Sequence, residues 1–212
     1  AGLIRSYIMG AVYEKLVYPD PASEASVDYQ KTLKPLLQKM IASNDSNAAN
    51  ELVTLLGSGD FKTGAAVVNQ FCQDHGFTST RLEAPLTADS SEKTNSTSAS
   101  DCCRLLSEIY NQTLVNSNAS SEMLSLLKQQ AEKDKILSGL PAETETAGTE
   151  GTQSDSVENN MAVVLDSASP YVFCVLSNNI KNSSEAKENT KKISADIYQY
   201  MTSESKSPDT PS

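Results

Sequence analysis

The order of the hydrophobic patterns predicts an α+β domain, a cluster of helices packed on a small antiparallel sheet. Two observations carry that expectation. Apolar residues recur at helical spacing through most of the first 130 positions, and after about residue 140 the pattern switches to short Val-rich runs. A last helical pattern then closes the chain, so the strands form a hairpin and not alternating βαβ units.

Leu3, Ile4, Tyr7, Ile8, Ala11, Val12 and Leu16 give a helix over residues 2–17 with a wide apolar face, ended by Pro19-Asp20-Pro21. Leu33, Leu36, Leu37, Met40 and Ile41 give a second, with Pro35 tolerated near its start. Ser46 or Asn47 is expected to cap a third, which carries Leu52, Val53, Leu55 and Leu56 and closes at Gly57. Residues 65–74 form a fourth, closed by Gly76. Residues 77–97 are polar and aperiodic, a long loop of the kind that is usually functional or disordered. Ser98-Ala99-Ser100-Asp101 is a variant capping box for a helix through Tyr110, and residues 121–130 add another. Residues 160–165 and 171–177 form a hairpin around the turn cluster Asp166 to Pro170, with residues 144–149 as a third strand. Ile193, Ile197 and Tyr200 or Met201 mark one face of a final helix. The domain is expected over residues 1–201, with a disordered Ser/Pro/Asp-rich tail over 202–212.

The chain of 212 residues carries a formal charge of −10. An acidic surface argues against nucleic acid and anionic membrane as partners. No apolar run approaches the ~18 residues of a membrane span. A single histidine, His75, argues against a His-based zinc site, and no cofactor or metal is expected. His75 stands just before a helix-ending glycine, where capping explains it. Cys72, Cys102, Cys103 and Cys174 form no C-x-x-C pair; they read as buried thiols, with a disulfide of Cys72 to Cys102 or Cys103 left open. Five Asn-x-Ser/Thr matches, at Asn44, Asn95, Asn111, Asn118 and Asn182, are expected by chance in so Asn- and Ser-rich a chain. Glu143, Glu145 and Glu150 read as charges beside a strand.

Residues 40–52, MIASNDSNAANEL, resemble the helix–loop–helix around Ser-Asp-Asn in the class A β-lactamase and penicillin-binding serine hydrolase family. Residues 8–13 are similar to the helix that follows that family's nucleophile. Residues 80–83 and 97–101 resemble the two ends of its omega loop, and residues 157–160 and 174–178 resemble the strands after Lys-Thr-Gly. The resemblance spans about residues 1–201 and rests on the order and spacing of these matches. The family fold also has an upstream helix and two strands that are not in this sequence, so the chain reads as an N-terminally truncated piece. Any anchor would then lie upstream, and the setting implied is extracellular or at the cell surface of a Gram-positive-like bacterium.

The resemblance implies four catalytic positions, and all four depart from the pattern. Gly2-Leu3-Ile4-Arg5 stands at Ser-x-x-Lys; Gly2 has no hydroxyl, and Arg5 stays protonated and cannot act as a base. Asn44-Asp45-Ser46 stands at Ser-Asp-Asn with the two outer residue types exchanged. Leu86 stands at the deacylating glutamate. Thr149-Glu150-Gly151 stands at Lys-Thr-Gly and places a carboxylate where a cation should attract the substrate's anion. The literal Lys62-Thr63-Gly64 is a decoy that opens the fourth helix. These departures imply a pseudoenzyme, a non-catalytic module that binds a cell-wall peptide or a protein through Arg5, Asn44, Ser46 and Glu150. The alternative is an active serine hydrolase using a shifted nucleophile such as Ser6 or Ser43. An unrelated helical domain is the third reading, which an antiparallel pairing of the late strands beside the first helix would exclude.

Overall fold

A computed structural model describes residues 2–22, 27–87, 95–130, 134–153, 156–165 and 169–204. Seven α-helices are found among them: α1 (Ile4–Val12), α2 (Lys34–Ala42), α3 (Ser46–Leu56), α4 (Phe61–Asp74), α5 (Ala99–Tyr110), α6 (Ser117–Leu127) and α7 (Ser183–Glu204). Three strands, β1 (Thr146–Gln153), β2 (Val157–Val164) and β3 (Tyr171–Val175), form one antiparallel sheet in the order β1-β2-β3. The register pairs Glu150 with Asn160 and Met161 with Cys174. The α+β expectation therefore holds, and the antiparallel pairing excludes the unrelated helical domain.

The chain alternation sorts the sheet into two faces. Met161 and Val163 join the main apolar core with α1 to α6. Glu158 points to the opposite face, where Ser183 and Lys187 of α7 reach it. Helices thus cover both faces, with α7 on the second. α1 is the centre of the cluster: every residue from Ile4 to Val12 is buried. A helix so buried cannot be amphipathic in the ordinary sense, and the polar atoms it carries inward become the site.

Several expected boundaries move, each for a local reason. The helix expected over 2–17 is α-helical only to Val12 and widens into a π-helical turn, Tyr13–Val17, where Tyr13 and Tyr18 turn their hydroxyls onto Glu122. Neither Ser46 nor Asn47 caps α3. Asp45 does, its carboxylate accepting from the amides of Asn47 and Ala48 at 2.8 and 3.0 Å. α4 starts four residues earlier than expected because Asp60 caps it through Thr63. Lys62-Thr63-Gly64 therefore lies in its first turn, as the decoy reading requires. Gly64 is there for packing: a Cβ on it would sit 1.7 Å from the carbonyl oxygen of Val53 in α3. α6 starts at Ser117 because Asn116 caps it through the amide of Ala119. Ser98 caps α5 as the capping box predicts.

On α7 Thr190 and Ser194 are buried and Ile197 and Met201, on the same face, are half-buried, whereas Ile193 and Tyr200 are exposed, so the apolar face read from the sequence is right only for Ile197 and the Met201 alternative. α7 runs on through Glu204, into the span expected as tail; residues 205–212 lie outside the described residues, as do the turn residues 166–168. The long loop is tied across its base by an Arg81–Ser96 bridge, and Asn95 accepts from the amides of Glu83 and Ala84. Its residues 88–94 lie outside the described residues.

Candidate functional site

Three of the four motif positions meet at one place, at the junction of the α1 N-terminus, the loop before α3, and β1. Gly2 sits in the turn leading into α1. A Cβ built on it would lie 2.8 Å from the carbonyl oxygen of Glu150 and 3.1 Å from Cα of Gly151, so position 2 faces β1 directly. The same Cβ would lie 2.2 Å from Nη1 of Arg5. The guanidinium has folded back over position 2 and occupies the space where a nucleophilic side chain would project.

Arg5 is held there from the other side. Its Nη2 donates to Oγ of Ser46 at 3.0 Å. Its Nε finds no partner, and the residue is only 7% exposed. Burial pushes its pKa down and the nearby Asp45 carboxylate pushes it back up. Among the described residues no carboxylate comes within 4.0 Å of it, so the site holds a buried cation without an ion-pair partner. Such a charge is costly unless something anionic or strongly polar meets it.

The loop supplying Ser46 is shaped by Asn44, which takes a left-handed backbone with φ of 54°. Asn tolerates that conformation better than most residues. Its Oδ1 is buried and without a hydrogen bond. Oγ of Thr149 on β1 is likewise buried and unpartnered. Ser6 is fully buried within α1 with its hydroxyl unpartnered, and Ser43 is exposed at the α2 C-cap.

Leu86 is 8% exposed and packs with the core. Asn50 of α3 clasps its backbone at both ends, donating to the Leu86 carbonyl at 2.9 Å and accepting its amide at 2.8 Å. The loop is thus positioned by the helix after the Ser-Asp-Asn-like turn, and Leu86 turns its apolar side chain into the core.

Glu150 brought an unexpected partner. Its carboxylate lies 3.3 Å from Nζ of Lys135, which also pairs with Glu158 at 2.6 Å. The Lys135 and Glu158 side chains are each 1% exposed. Lys135 donates as well to Oγ1 of Thr152 at 3.0 Å. Glu150 is therefore not a free surface charge beside a strand: its negative charge is offset by a buried lysine, and the repulsion of an anion expected from the sequence is correspondingly reduced. Sequence reasoning passed over Lys135 because it stands in an aperiodic stretch, in a local context no different from that of a surface lysine, before the short 3-10 turn Leu137–Gly139.

His75 sits at the α4 C-cap as expected, and its Nε2 lies 2.6 Å from a Glu14 carboxylate oxygen. All four cysteines are free thiols. Burial pushes the Cys72 thiol up to about 12, with the Asp101 carboxylate adding to it, which keeps it an inert thiol. Among the described residues no cluster of His, Cys, Asp and Glu could hold a metal ion, and no helix is long and apolar enough to cross a membrane.

A helix N-terminus, a polar turn and the outer strand of an antiparallel sheet, meeting in a cleft with helices on both faces, define the fold of the penicillin-binding serine hydrolases and class A β-lactamases. Residues 19–201 match the sequence profile described as the beta-lactamase enzyme family, and the chain belongs to that family. It is 26% identical over 196 residues to Beta-lactamase 3 of Bacillus cereus, a match covering 86% of this chain and 60% of the relative's length. Among solved structures, a β-lactamase from Sphaerobacter thermophilus superposes with a TM-score of 0.79 at 17% identity, covering 99% of this chain and 84% of that one. PBP-A, in a mutant solved as its acyl-enzyme complex with penicillin G, superposes with a TM-score of 0.80 at 20% identity, covering 96% and 81%. A class A β-lactamase from Mycobacterium abscessus gives 0.75 at 15% identity, covering 93% and 84%.

Proposed function

We propose that this chain is a catalytically silent member of its family, a module whose cleft binds an acyl peptide of cell-wall type without cleaving it, outside the cell. The observation that carries this reading is the pairing of Gly2 with Arg5. The position facing β1 offers no hydroxyl, and the guanidinium fills the space a serine side chain would need. A permanently protonated group has also replaced the base one helical turn on. Leu86 adds to it, since an apolar side chain cannot activate water for deacylation.

What remains is chemistry suited to holding an anion. Arg5 lies between half-exposed Gly2 and half-exposed Ser46, with a donor still unused and no carboxylate partner among the described residues. A ligand carboxylate meeting it would make charge-assisted hydrogen bonds, each contributing roughly 1.5–3 kcal/mol, or about tenfold or more in affinity. Asn44 and Ser46 line the same turn and supply neutral polar contacts.

The test is a calorimetric titration with an N-acyl-D-Ala-D-Ala peptide and with its C-terminal amide. The free acid is expected to bind at least tenfold more tightly than the amide, and Arg5→Met is expected to abolish the difference. Equal affinity for acid and amide would sink the assignment of Arg5, and release of free D-Ala by the wild-type chain would sink the catalytically silent reading.

A further inference from the structure

Three of the four cysteines gather where α5 packs against β3. Cys174 stands opposite Met161 in the sheet register, so the two side chains share a face. Met161 is fully buried, and Cys174 packs against the same core from the outer strand. α5 lies on that face and carries Cys102 and Cys103. Consecutive helix positions point about 100° apart, so these two cannot look the same way. Cys102 is taken up by the interior: it is fully buried, and the hydroxyls of Tyr7 and Thr97 each lie 3.6 Å from its Sγ. Cys103 turns toward the sheet, where its thiol and that of Cys174 are within hydrogen-bonding reach of each other.

Exposure sorts the thiols in the same way. Cys72 and Cys102 are 0% exposed, whereas Cys103 and Cys174 are half-buried and open to a small reagent. Cys72 stands on α4, and the charge acting on its thiol is that of Asp101, so the pairing with Cys102 or Cys103 left open by the sequence gains no support. The two accessible thiols are thus the two that meet.

We infer that Cys103 and Cys174 are a redox-modification site, joining in a reversible disulfide that staples α5 to β3 under oxidising conditions. The oxidant class is a small disulfide. Burial pushes the Cys174 thiol up, and the hydrogen bond with Cys103 and the charges of Cys103 and Cys102 push it further. Exchange needs a thiolate, so Cys103 attacks first. Its sulfur bonds to one sulfur of the reagent, the reagent's S–S bond breaks, and the leaving sulfur takes up the proton Cys103 has lost. Cys174 then gives up its proton, attacks Sγ of Cys103 and releases the second reagent thiol. Two protein thiols are oxidised to one disulfide, and one small disulfide is reduced to two thiols. The inference does not rest on the reading of the cleft, because it uses none of its residues.

The test incubates the folded full chain with excess oxidised glutathione, then unfolds it, alkylates the remaining thiols and measures the intact mass. Two alkylated cysteines are expected in place of four, with a crosslinked peptide that dithiothreitol separates. The melting temperature should rise on oxidation by roughly 4–16 °C, the gain typical of a disulfide in a chain of this size. Cys102 and Cys103 share a peptide, so variants assign the bond: Cys103→Ser should abolish the crosslink and Cys102→Ala should keep it. Fragmentation of the crosslinked wild-type peptide assigns it independently should a variant fail to fold. The inference is overturned by four alkylated cysteines after oxidation, by glutathione held in a mixed disulfide without a crosslink, by a crosslink formed only between chains, by one that includes Cys72 or Cys102, or by a melting temperature that falls on oxidation.

Discussion

Replacing Lys135 by Met removes the cation 3.3 Å from Glu150 and leaves Glu158, 1% exposed, with Lys187 at 3.9 Å as its nearest remaining positive charge among the described residues. Methionine fills much the same volume, so the loss is electrostatic. Removing one partner from a buried pair costs about 3–5 kcal/mol, because the other charge stays desolvated and uncompensated. A chain of this length loses roughly 2–4 °C of Tm per kcal/mol, so the melting temperature at pH 7 should fall by roughly 6–20 °C. The pH dependence gives a second, sharper readout. Burial pushes the Glu158 carboxyl up, but Lys135, Ser183 and Thr152 together outweigh it and hold the pKa below the usual value. A depressed folded-state pKa contributes stability that is complete above the unfolded value and is lost as pH falls through the folded one. In Lys135→Met the carboxylates lose their counter-charge, so acidification relieves the variant while it weakens the wild type. The gap between the two should therefore narrow from pH 7 toward pH 4. Thermal unfolding followed by circular dichroism measures it, with Lys135→Met/Glu158→Leu as the control that should recover more than half of the loss. A fall of under 2 °C at pH 7, or a gap that stays constant with pH, would refute the reasoning.

Other consequences follow from single contacts. Gly2→Ser should not restore acylation by a fluorescent penicillin, because the new Cβ meets Arg5 and the Glu150 carbonyl oxygen; labelling of this single variant would show that the cleft is less filled than described. Gly64→Ala should be among the most destabilising changes in the helical cluster, since its Cβ would overlap the Val53 carbonyl at 1.7 Å; a melting temperature within 2 °C of wild type would contradict the α3–α4 packing. Asn50→Ala should cost about 2–3 kcal/mol, as two buried backbone groups of Leu86 lose their partners. It should also speed amide exchange at Leu86 selectively, and uniform exchange rates would argue against the clasp. Glu14, its pKa lowered chiefly by the hydrogen bond from His75, contributes stability at neutral pH that is lost as pH falls through the depressed value. Glu14→Gln should therefore flatten the acid limb of the stability curve, and an unchanged limb would show that the pair is not felt.

The fold was legible because its signals are local and repeated. The switch from helical to alternating periodicity near residue 140 is visible in the chain, and so are the capping box at Ser98 and the ordered matches around residues 40–52. What misled was competition between neighbouring polar residues. Asp45, Ser46 and Asn47 are all competent caps, and only the backbone geometry decides for Asp45. On α7 the small polar side chains of Thr190 and Ser194 face the interior because Ser194 donates to the Ile136 carbonyl, a long-range contact that no hydropathy pattern reports. The four motif positions were readable by spacing, and their convergence required the fold. Two facts were beyond sequence altogether: that Arg5 lies over Gly2, and that Lys135 comes from a distant turn to neutralise Glu150. Both depend on which side chains share a volume after folding, which a one-dimensional pattern does not encode.

The central claim is that the cleft has kept its place in the fold and lost its nucleophile. Its most direct test is the intact mass of the folded protein after prolonged incubation with excess penicillin G, beside an active relative that acylates under the same conditions. The account predicts an unchanged mass, with no covalent adduct at any time. A stoichiometric gain of one penicillin per chain would contradict it, and mapping the modified peptide would then decide between Ser6 and Ser43 as the residue that attacks.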